Sequence, residues 1–165
     1  MPDTAEHCIG LLKKAGCRPK VIAHCLAVCA CASGYAKKTP LADTGLVTAG
    51  ALLHDIGRGS THSLGHAQAG ADILRGMEFP ERLVRIVECH TGAGLTADEC
   101  TLLGLLPRDC MPQTIEEKIV THADNRIAGS KRVTIEEEMA TAIHLPRKVR
   151  RRIYRLAHEV ELLTQ

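Results

Sequence analysis

Residues 51–57 read A-L-L-H-D-I-G, an apolar run that ends in a His-Asp pair, an isoleucine and a glycine. The run upstream of His54 predicts a buried helix, and Gly57 predicts that this helix has ended. Adjacent helix positions point about 100° apart, so His54 and Asp55 can share one ion only where it lies close to the backbone. The segment therefore predicts a helical fold with a metal site at a helix end.

Four further ionisable side chains lie on apolar faces of predicted helices, namely His24, His66, His90 and Asp124. A single inward His is more often a hydrogen-bonded core residue than a ligand, but an inward Asp is almost never buried unpaired. Burying so many ionisable groups costs several kcal/mol each unless they are paired or bind metal. The whole set therefore favours a metal centre.

Composition favours an all-α fold. The 165 residues are 45% apolar, with two Tyr, one Phe and no Trp, so the core consists mainly of aliphatic residues, Ala and Cys. No alternating strand pattern persists, and we expect a compact helical bundle of about seven helices with no substantial sheet. The length suits a single domain over 1–165, with a motif-bearing core at about 19–130 and a helical extension at about 134–163.

Periodicity and caps place the predicted helices. The segment 91–113 holds three Gly and two Pro and is predicted to be a long loop with one short helix near 97–105. Capping-box patterns begin at Thr114 and again at Thr134. The main predicted helices cover 4–15, 19–36, 42–56, 60–77, 80–90, 114–128 and the residues after Pro146.

Cysteine usage and charge indicate the cellular compartment and the classes of partner to expect. The eight Cys include no C-x-x-C pair, so we expect buried free thiols in a reducing cytoplasm rather than disulfides or a tetrathiolate zinc site. The uncharged run 21–36 is short for a membrane span, and the N-terminus lacks the basic region of a signal peptide. We expect a cytoplasmic protein with no membrane partner. The net charge of +2 gives no overall attraction to nucleic acid, which is not an expected partner.

The ordered pattern His24, His54-Asp55 and Asp124 resembles the HD superfamily of metal-dependent phosphohydrolases. Residues 54–57 read as the HDIG variant, and the resemblance covers roughly residues 20–130. It implies an α-helical fold, a bound divalent metal and hydrolysis of a phosphate ester or anhydride by a metal-activated water. A phosphorylated small molecule, most simply a nucleotide, is the implied substrate.

The sequences around His66 and His90 extend this resemblance to the two-metal branch of the superfamily, which includes diadenosine tetraphosphate symmetrical hydrolases. The Pro- and Gly-broken segment 91–113 departs from that subfamily, so the substrate does not carry over. No G-Y-P tripeptide follows the ligands, and a cyclic-di-GMP phosphodiesterase is not indicated.

The residue types suggest how two ions would be held. Asp55 can bridge them, with His24, His54 and Asp124 on one ion and His66 and His90 on the other. Asp55 and His54 are therefore the predicted catalytic residues. Four His and two carboxylates suit Fe, Mn, Co or Ni better than structural Zn, and Mg remains compatible. Arg58 and Arg126 are candidates to bind substrate phosphates, with a solvated surface role as the alternative.

Two other functions stay open at this point, an HD-fold di-iron oxygenase and a non-catalytic nucleotide- or RNA-binding protein. The second rests on a basic face in the last helix, for which a solvated surface is the simpler interpretation. His62 could replace His66 as a ligand, and His122 should face away from the ion bound by Asp124. A homo-oligomer is possible. The basic face consists of Arg147, Lys148, Arg150, Arg151, Arg152 and Arg155.

Overall fold

The structure, a computed structural model, describes residues 4–165 and is predominantly α-helical, as predicted. Within that range there are nine α-helices, two short 3-10 turns and one two-stranded hairpin. The count exceeds the predicted seven because it includes the short helix predicted within 91–113 and a further short helix after the second capping box. The helices are α1 (Ala5–Lys14), α2 (Pro19–Ala36), α3 (Thr44–Leu53), α4 (His66–Gly76), α5 (Glu81–Cys89), α6 (Ala97–Leu102), α7 (Ile115–Asn125), α8 (Ile135–Thr141) and α9 (Arg147–Leu163).

Helices α2, α3, α5 and α7 form the centre of the bundle. Their facing side chains, among them Val28, Leu52, Ile86 and Ile119, are almost completely shielded from solvent. Gly50 lets α3 approach α5, because a Cβ there would lie 2.7 Å from Ile86 Cγ2. Helix α2 is long and apolar enough to cross a membrane by length and composition. It packs against α3 and α7 here, as a core helix does.

Three helices begin with a complete capping box, including both boxes predicted from the sequence. In each, the Thr hydroxyl accepts a hydrogen bond from the backbone N–H of a Glu three residues later, and the Glu carboxylate accepts one from the Thr N–H. The reciprocal bonds satisfy backbone donors that a helix start leaves free. These boxes fix the starts of α6, α7 and α8 at Thr96, Thr114 and Thr134.

Gly57 does not end helix α3. Its role is to allow α4 to pack closely on the turn that follows α3. Helix α3 ends at Leu53, and Gly57 lies in the 3-10 turn Ile56–Gly59. A Cβ on Gly57 would lie 1.9 Å from the backbone oxygen of His66 and 2.6 Å from the backbone nitrogen of Gly70. Only glycine therefore lets the first turns of α4 pack directly on this turn.

Helix α7 ends three residues earlier than predicted. The chain turns at Gly129, whose φ of 65° is in the left-handed region, and forms a hairpin of β1 (Ile127–Ala128) and β2 (Lys131–Arg132). The strands are antiparallel, with Ile127 opposite Arg132. Two strands of two residues leave the fold class unchanged, but they bring the Gly129 carbonyl oxygen within 2.7 Å of His24 Nδ1.

The segment 91–113 is firmly attached to the bundle. Arg108 Nη1 lies 2.8 Å from Asp72 Oδ1 and 2.9 Å from Glu88 Oε1. Arg85 donates hydrogen bonds to the backbone oxygens of Asp109 and Met111. The predicted short helix is present as α6. Despite its Gly and Pro content, the segment is held by charged side chains that the sequence pattern does not pair.

All eight cysteines are free and seven of them are buried, in agreement with the predicted thiols. Burial raises the pKa of Cys8 and of Cys17 to about 11. These thiols are therefore protonated near neutral pH and act as small apolar core residues.

Candidate metal centre

Six predicted ligands meet where the ends of several helices converge. His54 and Asp55 follow α3, His90 follows α5, and His66 opens α4 beside the Gly57 turn. His24 comes from α2 and Asp124 from the last turn of α7. The residues brought together are His24, His54, Asp55, His66, His90 and Asp124.

The first group of ligand atoms surrounds the carboxylate of Asp124. His24 Nε2 lies 2.8 Å from Asp124 Oδ1, and His54 Nε2 lies 3.4 Å from the same oxygen. The side chains of His24 and Asp124 are 17% and 20% exposed, whereas that of His54 is fully buried. This group therefore forms the side of the centre that solvent reaches.

The second group surrounds Asp55 and is buried. His66 Nε2 lies 3.1 Å and His90 Nε2 3.6 Å from Asp55 Oδ1, while Asp55 Oδ2 lies 3.8 Å from His54 Nε2. Asp55 thus has one oxygen toward the two His of this group and the other toward the first group. That placement is what a bridging carboxylate between two ions requires.

The four candidate His ligands are oriented in the same way, each by a hydrogen bond from its ring to a backbone carbonyl oxygen. In each His, Nδ1 lies 2.7–2.9 Å from a backbone carbonyl oxygen. A carbonyl can only accept, so Nδ1 carries the hydrogen, and in the neutral ring Nε2 presents a lone pair to the centre. Three of these carbonyls lie three residues upstream, and the fourth comes from the hairpin turn. The pairs are His54 with Ala51, His66 with Ser63, His90 with Val87 and His24 with Gly129.

This tautomer leaves lone pairs that protein donors do not satisfy. His66 Nε2 and His90 Nε2 lie 3.0 Å apart, although in the neutral rings neither carries a hydrogen to share. His54 Nε2 is buried without a hydrogen-bond partner among residues 4–165. Buried nitrogen lone pairs that converge in this way fit a cation, and the carbonyl bonds at Nδ1 are the usual outer support of a metal-bound His.

The electrostatics keep both carboxylates ionised. Burial alone would raise the pKa of Asp55, but when His66 and His90 are also protonated at Nε2 their hydrogen bonds outweigh burial and hold the pKa well below the usual range. For Asp124, burial is again outweighed, here by the neighbouring His54 and by the hydrogen bond from His24 when it is protonated at Nε2, and the pKa is strongly lowered. Both groups therefore present anionic oxygens at neutral pH.

The remaining predicted residues divide between the centre and the core. Arg58 lies at the centre, with Nε 3.1 Å from Asp55 Oδ1 and its side chain 30% exposed. The guanidinium of Arg126 bonds the Val133 carbonyl and Glu161, and its contact with a substrate phosphate stays a prediction. The hairpin turn after α7 redirects the chain there, which helix spacing alone could not indicate.

His62 and His122 lie outside the ligand groups. The backbone oxygen of His62 accepts a hydrogen bond from Arg58, and its side chain is exposed. His122 is buried 3.2 Å from the hydroxyl of Tyr35, in agreement with its predicted outward direction from Asp124. Sequence reasoning missed Gly129, whose backbone carbonyl orients His24. A backbone acceptor leaves no residue-type signal, and only the glycine turn marks its position.

A helical bundle with an ordered His, His-Asp and Asp centre defines the class of HD-type metal proteins. The family model described as HD domain matches residues 21–129. The chain belongs to the HD domain family.

Curated relatives share sequence over most of this chain. An uncharacterized protein of Methanocaldococcus jannaschii is 48% identical over 140 residues, which are 80% of each chain. Two proteins named tRNA (cytidine(56)-2'-O)-methyltransferase, from Thermoplasma volcanium and Picrophilus torridus, are 49% and 45% identical. The chain spans only 40% of the length of each methyltransferase.

Among solved structures, the fold is similar to the HD domain of the L. monocytogenes phosphodiesterase PgpH in complex with cyclic-di-AMP. The TM-score is 0.62 at 20% identity, with 94% of this chain and 98% of that chain covered. At this identity the match supports the helical HD fold. The match does not identify a substrate, which has to be inferred from the chemistry of the centre.

Proposed function

We propose that the protein is a metal-dependent phosphohydrolase that cleaves a phosphate ester or anhydride of a nucleotide. The observation that carries the proposal is the convergence of four Nε2 lone pairs and two ionised carboxylates in one largely buried centre. A purely structural role would leave the buried Nε2 of His54 without a hydrogen-bond partner, whereas a bound cation would use its lone pair.

The ligand set supports two divalent ions. His24, His54 and Asp124 would hold one, His66 and His90 the other, and Asp55 would contribute an oxygen to each. Bound ions supply Lewis acidity toward phosphoryl oxygens and lower the pKa of a water. A set of imidazoles and carboxylates without thiolate suits Fe, Mn, Co or Ni and remains compatible with Mg.

The chain's own residues orient the reaction. The carbonyl bonds at Nδ1 fix each imidazole ring, and the ionised Asp55 and Asp124 would offset part of the positive charge of the ions. Arg58 is the candidate to bind a substrate phosphate, because its side chain is partly exposed next to Asp55. Substrate would approach from the side of His24 and Asp124, the more exposed ligands.

A nucleotide is the substrate class that the comparisons support best. The HD domain of PgpH, a phosphodiesterase, binds cyclic-di-AMP. Two relatives carry names of tRNA methyltransferases, but this chain spans 40% of their length. The ligand set described above suits hydrolysis at phosphorus rather than methyl transfer.

The test is a screen of nucleoside mono-, di- and triphosphates, dinucleoside polyphosphates and cyclic dinucleotides with Mn, Co, Ni or Fe. We expect metal-dependent release of phosphate or nucleotide. Asp55→Ala should reduce it by more than about 100-fold, because losing even an outer-shell partner of a metal typically costs 10–100-fold. His62→Ala, on the exposed segment next to the centre, is the matched control and should retain activity.

Metal stoichiometry tests the two-ion arrangement separately. The wild-type chain should bind about two ions, and His66→Ala or His90→Ala about one. Full activity of Asp55→Ala would refute the proposed mechanism. A single ion at full occupancy beside Asp55 after metal soaking would refute the second site. Mixed-valent iron with oxygen consumption and no phosphate release would instead favour the oxygenase alternative.

A further inference from the structure

Helix α9 carries a concentrated positive charge that the metal centre does not use. Residues 147–155 read R-K-V-R-R-R-I-Y-R and contain six of the 21 Lys and Arg and none of the 19 Asp and Glu. The rest of the chain therefore has a net negative charge. The near-neutral total conceals one strongly basic surface.

The structure separates the paired cations of α9 from the unpaired ones. Arg152 lies 2.9 Å from Glu99 and donates to the backbone oxygen of Gly94, and Lys148 lies 3.5 Å from Glu99. These contacts fix α9 to the segment that follows His90. The remaining four cations have no ion pair among residues 4–165. They are Arg147, Arg150, Arg151 and Arg155.

The unpaired cations form a continuous surface beside one shallow groove. Arg147, Arg151 and Arg155 recur every four residues and therefore follow one face of the helix. They border a groove of about 310 Å³ between α8 and α9, which Met139 and Tyr154 also line, and an open depression of about 480 Å³ among side chains of α9 that includes the paired Lys148 and Arg152. We call Arg147, Arg150, Arg151, Tyr154 and Arg155 the α9 basic surface.

This charge arrangement destabilises the helix that carries it. The first turn of α9 has no acidic residue and begins with Arg147 and Lys148, which oppose the positive end of the helix dipole. Like charges four residues apart repel each other as well. A bound polyanion would relieve both effects, since helix N-termini and arginines both favour phosphate.

An exposed aromatic ring lies within the same surface. Tyr154 is 49% exposed, and its ring is 4.3 Å, centroid to centroid, from that of His158. Arginines along a groove with an interleaved aromatic side chain are the pattern that binds single-stranded nucleic acid, in which bases stack on the ring. RNA offers single-stranded loops and ends, whose unstacked bases can stack on aromatic side chains, whereas most DNA is duplex.

We propose that the α9 basic surface binds single-stranded RNA, with the arginines on phosphates and a base stacked on Tyr154. The sequence alone favoured a solvated face for this helix. The unpaired state of four arginines and the exposed tyrosine between them reverse that interpretation. The interaction uses none of the metal ligands, so it is independent of the proposed hydrolysis.

The test measures the binding of a labelled RNA of about 12 nucleotides to the full chain. Fluorescence anisotropy gives the Kd at several salt concentrations between about 50 and 200 mM. Arg151→Gln with Arg155→Gln should weaken binding and flatten the dependence of log Kd on log salt by about 1.4, or 0.7 for each lost phosphate contact. Lys37→Gln with Lys38→Gln removes the same charge from an exposed turn outside α9. This control should change neither the affinity for RNA nor its salt dependence.

Tyr154→Ala distinguishes stacking from simple charge attraction. It should weaken RNA binding by about tenfold or more while leaving the salt dependence intact. The proposal is overturned if the Arg151/Arg155 variant binds as tightly as the Lys37/Lys38 variant. It is also overturned if Tyr154→Ala has no effect, or if duplex DNA or heparin competes as well as the RNA does. Loss of metal in Asp55→Ala should leave RNA binding unchanged.

Discussion

Replacing Gly57 with alanine should push α4 away from the 3-10 turn Ile56–Gly59 and thereby disturb the candidate metal centre. The added Cβ would lie 1.9 Å from the backbone oxygen of His66 and 2.6 Å from the backbone nitrogen of Gly70. Both are backbone atoms, so no side-chain rotation relieves the clash. A normal contact needs about 3.5 Å, and α4 must therefore move by about 1.5 Å from the turn.

The energetic cost follows from that movement. Overpacking a well-packed site usually costs about 1–3 kcal/mol, and we expect about 3 kcal/mol here because the clash involves two backbone segments. The same shift would carry His66 away from Asp55, to which its Nε2 is now 3.1 Å distant. Gly57→Ala should therefore lower both the free energy of unfolding and the metal content.

Urea unfolding of the metal-free protein measures the first effect, and metal analysis the second. Gly34→Ala is the matched control, because Gly34 lies within α2 and a Cβ there meets nothing within 4 Å. Alanine should stabilise that helix by about 0.5–1 kcal/mol. If Gly57→Ala is as stable as the wild type and holds the same metal, the close approach does not position α4, and the reasoning fails.

Two further predictions concern charged groups that are not candidate ligands. Burial raises the pKa of Glu138 from 4.5 to about 7, so folding binds a proton and this stabilisation is lost as the pH rises from about 4.5 to 7. Glu138→Gln should therefore raise the free energy of unfolding by about 1–3 kcal/mol at about pH 8, after allowance for solvent screening. Below pH 4.5 it should change the free energy of unfolding little. An equal effect at both pH values would contradict this prediction. Arg75→Ala should cost about 2–3 kcal/mol in chemical denaturation, because it removes two 3.0 Å hydrogen bonds from the buried Glu88. Arg82→Ala, which loses only an exposed 3.7 Å ion pair, should stay within about 0.5 kcal/mol of the wild type, and similar losses for both variants would show that burial of Glu88 is unimportant.

The sequence by itself determined the helical class and the identity of the six candidate ligands. Helix periodicity depends on local spacing, so the stripes through His24, His90 and Asp124 could be identified without coordinates. Capping depends on residues three apart, and the boxes at Thr114 and Thr134 are present as predicted. These features are local in the chain, and local features can be predicted from sequence.

Only the tertiary structure decided how the ligands divide and which arginines are available. The distances that place Asp55 between two groups join residues far apart in sequence, and the orientation of His24 depends on a backbone carbonyl in an unpredicted hairpin. The bonds of Arg126 to the Val133 carbonyl and Glu161 depend on the turn, rather than a continued helix, that follows Asp124. The four unpaired arginines of α9 could be recognised only after Glu99 was found beside Arg152. Pairing between distant charged groups is set by how the helices pack, and residue spacing carries no record of it.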